Sequence, residues 1–136
     1  MVAIYFGVDY YPEHWPRERW AQDVKLMKEA GINLVRLAEF GWSTIEPTEG
    51  NYDFSLYDEI IDLLAQHDIK VVLGTPTATP PAWLIEKYPD ILQVNKEGHR
   101  NHFGGRRHYC FNNPHYREYT KKIVAKLVEH YRHHPQ

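Results

Sequence analysis

One cysteine, two methionines and no marked excess of either charge leave this 136-residue sequence with few features that name a function directly. Each shortage excludes something. Cys110 alone cannot close an internal disulfide, so a disulfide scaffold is ruled out and the composition fits a reducing compartment. A net charge of −2 provides no global basic field for nucleic acid and no acidic tail. No apolar run approaches the ~18 residues that span a bilayer. The N-terminal stretch passes straight into strand-like sequence without a basic segment followed by an apolar one, so no membrane partner is expected and the expected location is cytoplasmic. What the chain has in quantity is aromatic residues, 14% of the total with ten Tyr and four Trp. Flat rings with polar edges hold sugars, but they also fill cores and interfaces, so this observation is only suggestive.

Three short apolar stretches bounded by turn residues, Ile4 to Tyr10, Asn33 to Ala38 and Ile69 to Gly74, read as buried strands. Between the first two, Pro16 opens a run in which Trp20, Val24, Met27 and Ala30 recur at helical spacing until Gly31 ends it. A second helix is expected from Ser55 to His67. Ser55 would be its N-cap, Asp58 the capping-box partner, and Leu56, Ile60, Leu63 and Leu64 its inner face. A third runs from Pro114 to His133 with Tyr116, Tyr119, Ile123, Leu127 and Tyr131 inward. Thr75 to Asn113 is long and loop-like, broken by a short helix over Ala82 to Tyr88.

Alternating strands and helices imply an α/β fold with parallel strands and right-handed crossovers. The sheet closes either as an open doubly wound sheet or as a (β/α)8 TIM barrel. No Gly-x-Gly-x-x-Gly follows the first strand, and polar and aromatic residues crowd the C-terminal end of every strand, which favours the barrel. A barrel takes roughly 250 residues. About three βα units are present, so residues 1–136 read as a partial barrel domain truncated before strand four.

Four constellations sit at those strand ends. Gly7-Val8-Asp9-Tyr10-Tyr11-Pro12-Glu13-His14-Trp15 follows the first strand, with a proline-ordered turn as the competing reading. Arg36 and Glu39 alternate with apolar residues in Arg36-Leu37-Ala38-Glu39-Phe40-Gly41-Trp42, and a structural salt bridge competes with an active-site role. Trp83, after Gly74-Thr75-Pro76-Thr77-Ala78-Thr79-Pro80-Pro81, could floor a sugar site or plug a barrel mouth. Gly104 and Gly105 let the backbone turn before Arg106 and Arg107. One such loop in a weakly acidic chain does not make a nucleic-acid surface. His130, His133 and His134 have helical spacing compatible with a metal, against the simpler reading of solvated histidines at a helix end.

Taken together and in this order, Tyr10-Tyr11-Pro12-Glu13-His14-Trp15, Val35-Arg36-Leu37-Ala38-Glu39-Phe40, Gly74-Thr75-Pro76-Thr77-Ala78-Thr79-Pro80-Pro81 and Gly104-Gly105-Arg106-Arg107-His108-Tyr109-Cys110 resemble the N-terminal part of the β-galactosidases of glycoside hydrolase family 42. The resemblance implies a TIM-barrel enzyme, usually a homotrimer, that removes terminal β-linked galactose with retention of configuration and requires no cofactor. It puts both catalytic glutamates beyond Gln136, so no catalytic residue is expected in this chain and the isolated chain is expected to be inactive. It makes Arg106 a galactose-binding residue and Arg36 the residue that orients the nucleophile, with Glu39 and Trp83 as active-site wall. It makes Cys110 one of four cysteines around a structural zinc found in some members, the others lying outside these residues. The alternatives left open are a non-catalytic remnant, a half-barrel that pairs with another chain, and a sugar-binding module.

Overall fold

The computed structural model describes residues 4–135. The chain forms two compact units, the first comprising residues up to Ala38 with Phe54–Gly74, the second Glu39–Asp53 with Thr75–His134.

The first unit carries three parallel strands, β1 (Gly7–Asp9), β2 (Leu34–Leu37) and β3 (Lys70–Leu73), in the order β1-β2-β3. The registers set Asp9 opposite Arg36 and Arg36 opposite Val72. β1 and β2 meet closely at Gly7, where a Cβ would lie 2.8 Å from the Leu34 carbonyl oxygen. Any larger residue there would push the two strands apart. The crossovers are α1 (Arg17–Glu29) and α3 (Ser55–Gln66), within two residues of their expected ends. Gly31, at φ +79°, ends the first, and the amide of Ile32 reaches back to the Met27 carbonyl at 2.9 Å. Trp20 and Val24 of α1, Tyr57, Ile60, Ile61 and Leu64 of α3, and Val35, Leu37 and Ile69 are buried and make one core. Each such side chain contributes about 1.5–3 kcal/mol relative to exposure. The polar ends are satisfied locally. Trp20 Nε1 donates to the Pro12 carbonyl at 3.2 Å, and the Tyr10 hydroxyl donates to Asp23 at 2.9 Å.

Two details depart from expectation. Ser55 is the first helical residue rather than the cap: Phe54 occupies the N-cap position, with no side-chain capping bond. The strands are not covered on both faces. β1 is exposed along its length, and Val8 and Val72 are 38% and 46% accessible. Apolar composition specifies that a strand tolerates cover on two sides, but among the described residues helices cover only one side.

Glu13, on the single 3-10 turn Pro12–His14 after β1, has both carboxylate oxygens buried without a hydrogen-bond partner. Burial pushes its carboxyl above the ordinary value of 4.5, and burial likewise pushes up the nearby Tyr57 phenol. The folded state therefore holds the Glu13 proton more tightly than the unfolded chain. Its stabilising contribution is full below about 4.5 and is lost as pH rises through the folded-state value. Urea midpoints measured across this range should fall with rising pH more steeply in the wild type than in Glu13→Gln. Parallel pH profiles for the two proteins would show that Glu13 does not titrate in this way.

The second unit contains α2 (Trp42–Ile45), α4 (Ala82–Lys87) and α5 (Pro114–Tyr131), with 3-10 turns at Pro76–Ala78 and Pro89–Ile91. Asn113 caps α5, its side-chain oxygen accepting the Tyr116 amide at 3.0 Å while Pro114 takes the first helical position. Tyr116, Tyr119, Ile123 and Leu127 form the buried stripe expected for this helix. The stretch from Ile91 to Tyr109 is a hairpin-like excursion, with antiparallel bridges Leu92 to Tyr109 and Val94 to Arg100. The 39–53 segment is fastened to the helices of this unit by side chains distant in sequence. Trp83 Nε1 donates to the Glu46 carbonyl at 2.9 Å, and Lys87 and the Tyr119 hydroxyl both donate to Glu49, at 2.6 and 2.5 Å.

Candidate active site

The residues singled out from sequence fall into two groups, one in each unit. In the first unit, Asp9 and Arg36 stand side by side on the exposed face of the sheet because the register pairs them. The Arg36 guanidinium lies 4.0 Å from the Asp9 carboxylate, with both side chains about half exposed. They line a shallow cavity of roughly 570 Å³ together with Gly7, Val8, Leu34 and Val72. At that distance and exposure the pair contributes little to stability. Its chemical content is a fixed positive charge with a planar fork of donors, suited to holding a carboxylate. Asp9 was part of the first constellation but was not singled out as the partner of Arg36. Strand register, which is not visible in the separate motifs, brings them together.

Ala38, the residue after β2, is completely buried at φ +72°, a conformation unusual for a residue with a Cβ. Backbone of this kind persists only where the surroundings enforce it. Alanine carries no signal for it, so this position was invisible in the sequence.

In the second unit this excursion forms a cavity of roughly 400 Å³, lined by Asn95, His99, Arg100, Asn101, His102, Gly105, Arg106 and His108. Among the described residues no acidic side chain lines it. The exposed Arg106 guanidinium lies 5.3 Å from the centre of the Phe40 ring, a cation–π distance. Arg100 Nη1 is engaged with the Pro89 and Leu92 carbonyls at 3.2 and 2.8 Å, which makes it a brace of the loop. Arg106 is the arginine of this cavity with the freer guanidinium face. Gly104 adopts φ +95°, as expected for the turn, and Arg107 adopts φ +56° without the freedom of glycine. The cavity's amides, histidines and guanidinium offer donors and acceptors to a polyhydroxylated ligand.

Glu39 is buried, with 7% of its surface accessible. Trp83 is half-buried, its indole N–H committed to the Glu46 carbonyl and its ring edge-on to Tyr119 at 5.7 Å. Cys110 is a free, partly buried thiol whose backbone amide donates to the Ile91 carbonyl at 2.8 Å. Among the described residues no three His, Cys, Asp or Glu side chains converge to hold a metal. Among the described residues, those around Cys110 therefore do not fit a zinc centre; the last helix ends at Tyr131, short of the expected His133, so only His130 of the three terminal histidines is on it, and they form no such group either. No helix among the described residues is long and apolar enough to cross a membrane.

Three parallel strands joined by helical crossovers, with charged residues at the strand ends, define an α/β protein of the class that does its chemistry at the C-terminal edge of the sheet. Comparison with known proteins goes further. The profile of glycoside hydrolase family 42, described as β-galactosidase, matches residues 9–136, and the chain belongs to that family. A β-galactosidase of Thermus thermophilus is 56% identical over 125 residues, covering 92% of this chain and 19% of the relative. One from Geobacillus kaustophilus is 47% identical over 135 residues, covering 99% and 20%. Among solved structures, the β-galactosidase of the psychrophilic Marinomonas ef1 superposes with a TM-score of 0.92 at 48% identity, over 97% of this chain and 20% of that one. That of Bacillus circulans sp. alkalophilus superposes at 0.93 with 41% identity, over 98% and 20%. The chain thus spans about a fifth of the length of the relatives it matches.

Proposed function

We propose that these residues are the first three βα units of the catalytic (β/α)8 barrel of a retaining β-galactosidase acting on terminal β-D-galactosides. The observation that carries this reading is the match to family 42 over residues 9–136, joined to close superposition on solved β-galactosidases. In such an enzyme one glutamate protonates the glycosidic oxygen while a second attacks the anomeric carbon. Water then hydrolyses the galactosyl-enzyme with the first glutamate acting as base. Both glutamates are assigned to parts of the barrel outside this chain, so its own residues bind and orient. Arg106 donates hydrogen bonds to galactose hydroxyls. Arg36 holds the nucleophilic carboxylate ionised and aimed, a task for which a fixed charge with paired donors is suited. Glu39 and Trp83 contribute to the wall of the site. Any structural zinc would use Cys110 only with ligands supplied from elsewhere. A homotrimeric assembly in the cytoplasm, with a galactoside as substrate, completes the reading.

The test is Arg106→Ala in the longer polypeptide. A lost hydrogen bond from a charged donor is worth about 1.5–3 kcal/mol, so kcat/KM on an aryl β-galactoside should fall roughly 10- to 100-fold with the thermal midpoint unchanged. Activity within twofold of the wild type would remove Arg106 from the site.

A half-barrel that pairs with another chain is the second reading. It is favoured by one observation, the uncovered sheet face on which Val72 is exposed beside Arg36.

A further inference from the structure

The turn that carries Arg106 is closed from beneath by one side chain. His108 is only 2% exposed, and its Nδ1 lies 2.5 Å from the Gly105 carbonyl oxygen. A carbonyl can only accept, so Nδ1 carries the proton and donates, which fixes the tautomer. Nε2 is buried with no hydrogen-bond partner. The main chain of the same segment is tied down independently. The His108 carbonyl accepts the Gln93 amide at 2.8 Å, and Tyr109 bridges to Leu92. Phe103 stands edge-on to the imidazole with ring centres 5.3 Å apart. His108 is thus an anchored post from which a single bond reaches back across the turn. Arg106 and Arg107 lie within the loop so closed. Arg107 at φ +56° holds a left-handed conformation that favours glycine, whereas Gly104 takes φ +95° without that cost.

We propose that His108 is a positioning residue: its Nδ1–H bond to the Gly105 carbonyl holds the turn in the form that presents the Arg106 guanidinium to the cavity. This rests on the reading of Arg106 as a galactose-binding residue. His108 itself need not touch the sugar, because its reach is spent on the backbone. The requirement is a donor at the position of Nδ1, which an asparagine amide can supply at the same distance from the backbone and a leucine of comparable bulk cannot.

The experiment uses the longer enzyme and reads competitive inhibition by galactose alongside kcat and KM. His108→Leu should raise the galactose inhibition constant and KM about tenfold, the size of one lost hydrogen bond, with a smaller effect on kcat. His108→Asn should stay within about twofold of the wild type on the same measure. In an Arg106→Ala background His108→Leu should produce no further loss, because the two act through one contact. A residue that merely supports the fold would add its loss in both backgrounds, and that result overturns the proposal. If His108→Leu does not fold, His108→Asn decides: near-wild-type inhibition by galactose supports the proposal, and a tenfold rise overturns it. If Arg106→Ala alone leaves galactose inhibition unchanged, it is the reading of Arg106 that fails.

Discussion

Trp42→Ala should cost this protein about 4 kcal/mol, a large share of the ~5–15 kcal/mol that holds a domain of ordinary stability together. Trp42 has no accessible surface, and its indole N–H donates to Glu46 Oε2 at 2.8 Å. Glu46 is itself only 2% exposed, and its other oxygen accepts the Gly50 amide at 2.9 Å. The helix that bears Trp42 is four residues long and has no helical stability of its own. Its shape therefore depends on the packing of Trp42 and Ile45 and on Glu46 closing the segment behind it. Alanine would leave a cavity the size of an indole and a buried carboxylate with one fewer donor. Both effects act in the same direction. Trp42→Phe keeps much of the volume and loses only the N–H, so it should cost roughly half as much. Urea denaturation with all three proteins at one pH checks this. A loss under about 1.5 kcal/mol for Trp42→Ala would mean that the site collapses easily and that the Trp42–Glu46 pair is not what holds the 39–53 segment.

The features that could be read from the sequence are those with periodicity or punctuation. Trp20 and Val24 mark α1, and Tyr116, Tyr119, Ile123 and Leu127 mark α5, because helical spacing repeats long enough to be distinguished from chance. Gly31 and Pro114 mark ends because their backbone chemistry permits little else there. α2 was not visible: four residues hold barely one turn, and Trp42-Ser43-Thr44-Ile45 has no period. Ser55 misled because a cap is decided by where the first helical dihedral falls, and Phe54 provides that position without a side-chain bond.

For the candidate site the division is different. Alternation with apolar residues at a strand end marks Arg36 in the sequence, whereas the role of Arg106 comes from motif resemblance. The pairing of Asp9 with Arg36 follows from register, and the bond from Trp83 to the Glu46 carbonyl spans 37 residues. Both are tertiary facts that no local pattern encodes. In the sequence His108 is one residue of the motif Gly104-Gly105-Arg106-Arg107-His108-Tyr109-Cys110, with no local pattern to mark it. The role inferred for it comes from a side chain returning three residues to its own turn.

The isolated 136-residue chain should hydrolyse an aryl β-galactoside no faster than buffer does, the largest effect expected of this protein. Enzymes accelerate their reactions by about 10⁶-fold or more, and in a retaining glycosidase that gain is built around an acid and a nucleophile roughly 5 Å apart. With both glutamates assigned elsewhere in the proposed reading, this chain has binding contacts alone to offer. The same chain should associate. Val72 is exposed on the open sheet face beside the half-exposed Asp9 and Arg36, and Val8 is exposed on the opposite side of β1. Apolar sheet surface with accessible edges recruits other strands. Sedimentation should therefore show oligomers or aggregate where the activity assay shows nothing. Turnover above background would mean that a catalytic carboxylate lies within these residues, and buried Glu39 would be the first to replace with glutamine. An inactive, stable monomer would instead mean that the open face needs no cover, which removes the observation that favours a half-barrel pairing with another chain.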